Sequence, residues 1–248
     1  MEREHLRTTG PNLVLIGHRA TGKSAVAREL ARLLPQYPSL CERIPPMWMD
    51  TDQMIERACG RSIDRIFQTE GERSFRDRET ELLRNLSTRR VGIVATGGGM
   101  PVRPENQCLL RRMGTIIWLT ASAETIARRL AEDPNSRRNR PTLQVEREFT
   151  QIAENAWTQN NTQNNTSSNT QDNTPNDTQD NTPNDTLGTR DTQNVDPWRG
   201  GDRQEPSVEA IRFVLHQREP IYRELADETV CSEYAPPETI ANQILRSL

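Results

Sequence analysis

Residues 17–24 read Gly-His-Arg-Ala-Thr-Gly-Lys-Ser and follow the apolar run Leu13-Val14-Leu15-Ile16. A G-x-x-x-x-G-K-S loop between a strand and a helix is built to hold phosphate. Its glycines let successive N–H groups turn inward on an anion, and the helix N-terminus adds partial positive charge. Lys23 can reach the β- and γ-phosphates, and the Ser24 hydroxyl can ligate Mg²⁺. A chance match in a glycine turn is the competing reading. The helical face Val26, Leu30, Leu33 and Leu34 behind the loop argues against it. The spacing therefore points to a nucleoside triphosphate.

Further side chains could act on such a ligand. Asp50 and Asp52 end a strand two residues apart, so an extended chain would send both carboxylates the same way. One suits a Mg²⁺ shell and the other a substrate hydroxyl. The alternative is a turn aspartate followed by Asp52 as a helix N-cap. Arg76 has Glu72 four residues before it and Glu79 three after, which would brace a guanidinium able to grip a carboxylate. A solvated charged face fits the same spacing. Gly97-Gly98-Gly99 closes an apolar run and removes side chains where something approaches the backbone, or else makes a flexible turn. Arg137, Arg138 and Arg140 precede Pro141 on a basic segment. It could supply positive charge to phosphoryl transfer or remain simply solvated. Arg218, ahead of Pro220 and Tyr222, is uninformative by itself.

Strands are expected at residues 13–16, 47–49, 92–96, 115–119 and 229–231. Helices are expected at 24–34, 53–58, 63–67, 71–86, from Ser122 to about 130, at 207–226 with a break at Pro220, and at 238–248. Residues 35–46 read as a proline-rich connector. The alternation predicts a parallel sheet covered on both faces, with ligands at the carboxyl ends of its strands. Residues 158–194 are nearly all Asn, Thr, Gln, Asp and Pro, and an octad repeats from Asp172 and again from Asp180. Such a segment has nothing to bury and is expected to be disordered. It accounts for much of the low hydrophobic content of 33% in 248 residues.

Composition excludes several roles. The formal net charge of −3 gives no electrostatic case for nucleic acid or an anionic membrane. Cys41, Cys59, Cys108 and Cys231 are scattered, without metal-ligand spacing, and read as reduced cytosolic thiols. Neither a signal peptide nor a membrane-length apolar run is apparent.

Taken in order, these motifs resemble the shikimate kinase family. They are Gly17 to Ser24; Asp50-Thr51-Asp52; Gly71-Glu72 with Phe75-Arg76 and Glu79; Ala95-Thr96-Gly97-Gly98-Gly99; Arg140-Pro141-Thr142-Leu143; and Arg218-Glu219-Pro220-Ile221-Tyr222. The resemblance implies an α/β P-loop fold: a doubly wound, five-stranded parallel sheet with helices on both faces. One domain would comprise residues 11–150 and 201–248, with residues 151–200 as a disordered low-complexity insertion beside the lid. The implied reaction is Mg²⁺-dependent transfer of the ATP γ-phosphate to the 3-hydroxyl of shikimate. Ala20, Thr21, Gly22, Lys23, Ser24 and Ala25 would wrap the phosphates, with Ser24 and Asp50 as the Mg²⁺ shell. Asp52 would hold the substrate hydroxyls and act as base, and Lys23 and Arg140, the latter from the lid, would assist transfer. Arg76 and Arg218, with the Gly98 backbone, would grip the shikimate carboxylate, and residues 233–236 would lie near the adenine. A monomeric cytoplasmic enzyme of small-molecule substrates is expected, without nucleic-acid or membrane partners. The chain departs from the family's usual pattern at Arg19, Ala20 and Thr142, in the long connector, and in the polar tract. Two other readings compete. One is a related kinase such as a gluconate kinase; the other is a non-catalytic nucleotide-binding module, which would be expected to lack one of these groups.

Overall fold

The computed structural model describes residues 10–133 and 207–248. Five strands form its centre: β1 (Asn12–Ile16), β2 (Trp48–Asp50), β3 (Ile93–Ala95), β4 (Gly114–Thr120) and β5 (Glu228–Cys231). They pair in the order β2-β3-β1-β4-β5, and every pairing is parallel. Successive strand residues point to opposite faces, so β1 serves two cores. Leu13 and Leu15 pack with α1 (Lys23–Leu33) and with the last helix, Pro237–Ser247. Val14 and Ile16 pack against Leu83, Leu110, Tyr222 and Leu225 on the other side. A strand buried on both faces must be apolar throughout, which is why β1 reads as a continuous run.

The remaining helices are α2 (Pro38–Arg43), α3 (Thr51–Cys59), α4 (Ile63–Leu86), α5 (Pro104–Met113), α6 (Ala123–Glu132) and α7 (Val208–Leu225); the last, Pro237–Ser247, is α8. β1 lies between β3 and β4, so the loops leaving these strands diverge at its carboxyl end. That divergence opens the crevice in which doubly wound sheets hold ligands.

Several local expectations change. The connector holds a helix, α2, because Pro38 occupies its first turn, where a missing N–H costs nothing. Helix α5 was not anticipated, although Pro104 opens it and Leu110 and Met113 bury its inner face. Helices 63–67 and 71–86 join as α4, with the expected interruption surviving as a kink at Gly71 (φ 83°, ψ 169°). Pro220 does not break α7. Tyr222 and Leu225 beyond it are buried against the sheet, and that packing offsets the lost backbone bond. The basic segment with Arg137, Arg138, Arg140 and Pro141, the tract 158–194 and the domain edges near 150 and 201 lie outside the described residues.

Candidate active site

The phosphate loop runs from β1 into α1. Ala20 takes a left-handed conformation at φ 60°, and Gly22, which precedes α1, takes φ 87°. No side chain caps α1, so its first N–H groups keep their capacity for an anion. Lys23 is 7% exposed, and its Nζ donates to the carbonyls of Gly17 at 2.9 Å and His18 at 2.6 Å. The ammonium is thus held inside the curve of the loop. Burial pushes the His18 pKa down to about 3, so this imidazole is neutral near pH 7.

Asp50 and Asp52 do not share a strand face. Helix α3 begins at Thr51 because Asp50 is the N-cap: its Oδ1 accepts from the N–H of Asp52 at 2.9 Å and of Gln53 at 3.2 Å. Asp52 is therefore a first-turn helical residue, not the cap, and the two-residue strand argument does not apply. The carboxylates serve separate places. Asp50 Oδ2 accepts a hydrogen bond from Ser24 Oγ, whereas Asp52 lines a neighbouring cleft. Ser24 and Asp50 bring two hard oxygens together at the loop, a donor pair suited to Mg²⁺ with phosphate and water completing its shell.

The cleft is open to solvent, with about 470 Å³ of free space at its mouth and floor together. Ile63, Phe67 and Phe75 form an apolar wall; Arg19, Asp52, Arg76, Glu79 and Arg218 are the charged residues; Gly97-Gly98-Gly99 forms a backbone edge. The glycines are explained by what approaches them. A Cβ at Gly97 would stand 2.5 Å from Asp52 Oδ1 and 3.0 Å from Glu79 Oε1, and one at Gly99 would stand 2.5 Å from Arg76 Nη1. Arg76 donates to Glu79 at 2.8 Å and, through Nη2, to Glu72 at 2.9 Å, as the helical spacing predicts. Burial works against its charge, and the two carboxylates overcome that and raise its pKa. Burial lifts Glu79 to about 7; Arg76 opposes the rise and the nearby Asp52 charge adds to it. Arg218 is 8% exposed, and among the described residues no carboxylate pairs with it. A buried guanidinium without an anion is costly, so Arg218 gives the cleft a positive charge suited to an anionic ligand.

The model of the shikimate kinase family matches residues 19–187. A shikimate kinase of Chromohalobacter salexigens is 40% identical over 95% of this chain and 91% of its own length. The chain belongs to the shikimate kinase family. The shikimate kinase of Syntrophus aciditrophicus is 31% identical over 95% of the chain and 89% of its own length. Among solved structures, shikimate kinase from Acinetobacter baumannii in complex with shikimate aligns with a TM-score of 0.63 at 26% identity, covering 97% of this chain and 93% of that one. The Aquifex aeolicus enzyme, at 20% identity and a TM-score of 0.57, shares the fold.

The structure thus brings Asp52, Arg76, Gly98 and Arg218 to one cleft and sets Ser24 and Asp50 beside the phosphate loop. Sequence reasoning gave no role to Ile63 and Phe67 and saw Glu79 only as a brace. Its second oxygen, Oε1, is buried near Asp52 with no hydrogen-bond partner among the described residues. Arg19, noted only as a departure from the family, also lines the cleft. Helical spacing placed Glu79 beside Arg76, but nothing in it showed which flank of α4 faced the ligand.

Proposed function

We propose that the chain transfers the γ-phosphoryl group of ATP to the 3-hydroxyl of shikimate. The observation that carries this reading is the cleft beside the phosphate loop, where the buried Arg218 and the braced Arg76 accompany Asp52 and an apolar wall. Shikimate, the ligand of the Acinetobacter relative, offers a carboxylate, ring hydroxyls and a hydrocarbon face. Arg76 and Arg218 would bind the carboxylate, with the Gly98 backbone beside them. The apolar wall would cover the ring face and exclude water. Asp52 would orient the reacting hydroxyl and accept its proton at a carboxylate oxygen as the oxygen attacks the γ-phosphorus. Residues 20–25 would hold the phosphates through loop N–H groups. Lys23 would leave the Gly17 and His18 carbonyls to neutralise charge on the transferred group. Ser24 and Asp50 would hold Mg²⁺, which when bound neutralises phosphate charge. Arg140 would close over ATP from the lid.

A monomeric cytoplasmic enzyme is part of the proposal, with small molecules as its partners and neither nucleic acid nor membrane among them. The formal net charge of −3 gives no electrostatic case for nucleic acid or an anionic membrane, and among the described residues no helix is long and apolar enough to cross a membrane. Coupled ADP release by the purified protein with shikimate or gluconate tests the reading. Shikimate-dependent turnover is expected; gluconate-dependent turnover alone would refute it. Lys23→Ala should remove most transfer while circular dichroism stays unchanged.

A further inference from the structure

Tyr222 lies one helical turn beyond Arg218 on α7 and is 1% exposed. Residues four apart on a helix share a face, so both side chains leave α7 toward the glycine turn. The Tyr222 hydroxyl donates to the Gly98 carbonyl at 2.5 Å. The Arg218 guanidinium is near enough to act on that phenol, its charge opposing the upward effect of burial on the Tyr222 pKa. The ring is tilted against Trp118 with centroids 5.9 Å apart, and packing on the sheet keeps the phenol from swinging away. Burial holds the Tyr222 pKa above its ordinary value, so the hydroxyl keeps the proton it donates.

We infer that Tyr222 is a positioning residue for carboxylate recognition, its hydroxyl fixing the Arg218 guanidinium and the Gly98 backbone as one unit. The inference rests on the reading that Arg218 binds the carboxylate of the acceptor. Two groups need such fixing. Arg218 stands on a long stem and has no carboxylate partner among the described residues, so a neighbouring acceptor atom must hold its planar fork in orientation. The Gly98–Gly99 peptide belongs to a turn free of side chains. Tethering its carbonyl fixes the plane of that peptide, and with it the direction of the Gly99 N–H. The phenol thereby makes one rigid edge from two elements far apart in sequence. Gly98 also packs against the phosphate-loop backbone at Gly17, His18 and Arg19, so acceptor and ATP must be varied separately to tell the two effects apart.

The test is steady-state kinetics of the full chain with shikimate and ATP varied separately. Tyr222→Phe keeps the ring and removes only the hydroxyl. It should raise the shikimate KM about tenfold, as expected for losing hydrogen bonds that hold a charged group, and leave kcat and the ATP KM within about twofold. Added to Arg218→Ala it should cost less than it does alone, because only the Gly98 backbone then remains to be positioned. Arg218→Lys, which keeps the charge without the fork, gives a second measure. Its shikimate KM should rise comparably, and a normal value would overturn the inference. If Arg218→Ala raises the shikimate KM and Tyr222→Phe does not, or if the two effects add fully, the inference fails and the site reading stands. If Arg218→Ala leaves the shikimate KM unchanged, the site reading itself fails. A loss of melting temperature with equal rises in both KM values would assign Tyr222 a structural role only and overturn the inference.

Discussion

Two residues of the site hold unfavourable states whose costs can be measured. Ala20 has φ 60°, a left-handed conformation that costs a side-chain-bearing residue about 1 kcal/mol or more. Ala20→Gly should relieve it and raise the melting temperature by a few degrees; an unchanged or lower melting temperature would show that the loop does not store this strain. Glu79 is fully buried, with its pKa pushed up to about 7 from 4.5. Its native form binds the proton more tightly than the unfolded chain does. The Glu79 contribution to stability should therefore fall as pH rises from about 4.5 to about 7, by at most about 3 kcal/mol, while the buried neutral His18 contributes an opposing rise between about 3 and 6.5. Glu79→Gln should remove the Glu79 fall, so that stability in melting scans between pH 5 and 8 rises more with pH than in the parent, whatever happens to the absolute melting temperature. A slope identical to that of the parent would place the titration elsewhere.

The element that orients the acceptor site is α4. Its first segment carries Ile63 and Phe67 of the apolar wall, and the part after the kink carries Phe75, Arg76 and Glu79. The kink depends on Gly71, whose φ of 83° and ψ of 169° are open essentially to glycine alone. A Cβ there would meet nothing within 4 Å, so the cost of Gly71→Ala is purely one of backbone, about 1–3 kcal/mol. We expect a melting temperature lower by several degrees and a shikimate KM raised more than the ATP KM, since Arg76 turns with its segment and the phosphate loop does not. Equal effects on both substrates would disconnect the kink from the acceptor site.

At the scale of the whole chain, the connection from α6 to α7 spans residues 133–207, although both helices pack on one another through Ile126, Leu130 and Ile211. Loop-closure cost grows only with the logarithm of length; lengthening a link from roughly 10 to 60 residues adds about 1.6 kcal/mol. The tract 158–194 offers almost no apolar surface that could compete for the two cores. Replacing it with a short Gly/Ser link should preserve shikimate-dependent ADP release and slightly raise thermal stability. Loss of activity in a folded excision variant, or ligand-dependent amide protection across the tract, would make it part of the working lid.

Features that depend on neighbours along the chain could be read from the residues alone. The strand–loop–helix around Lys23 was legible because phosphate binding needs contiguous residues, and the bracing of Arg76 because helical periodicity puts Glu72 and Glu79 within reach. The apolar runs gave the parallel sheet, since strands buried on both faces cannot alternate. The tertiary structure decided which groups meet. Asp50 and Asp52 look equivalent in sequence, yet the start of α3 turns one to Ser24 and the other to the cleft. Gly97 and Gly99 show no reason of their own until Asp52, Glu79 and Arg76 arrive from α3 and α4, nor does Gly98 until the phosphate loop packs against it. Tyr222 and Gly98 are 124 residues apart, and only the order of the strands brings them into contact. Local pattern records a residue's own backbone preferences and the face it presents; what that face meets is fixed by packing among elements distant in the chain.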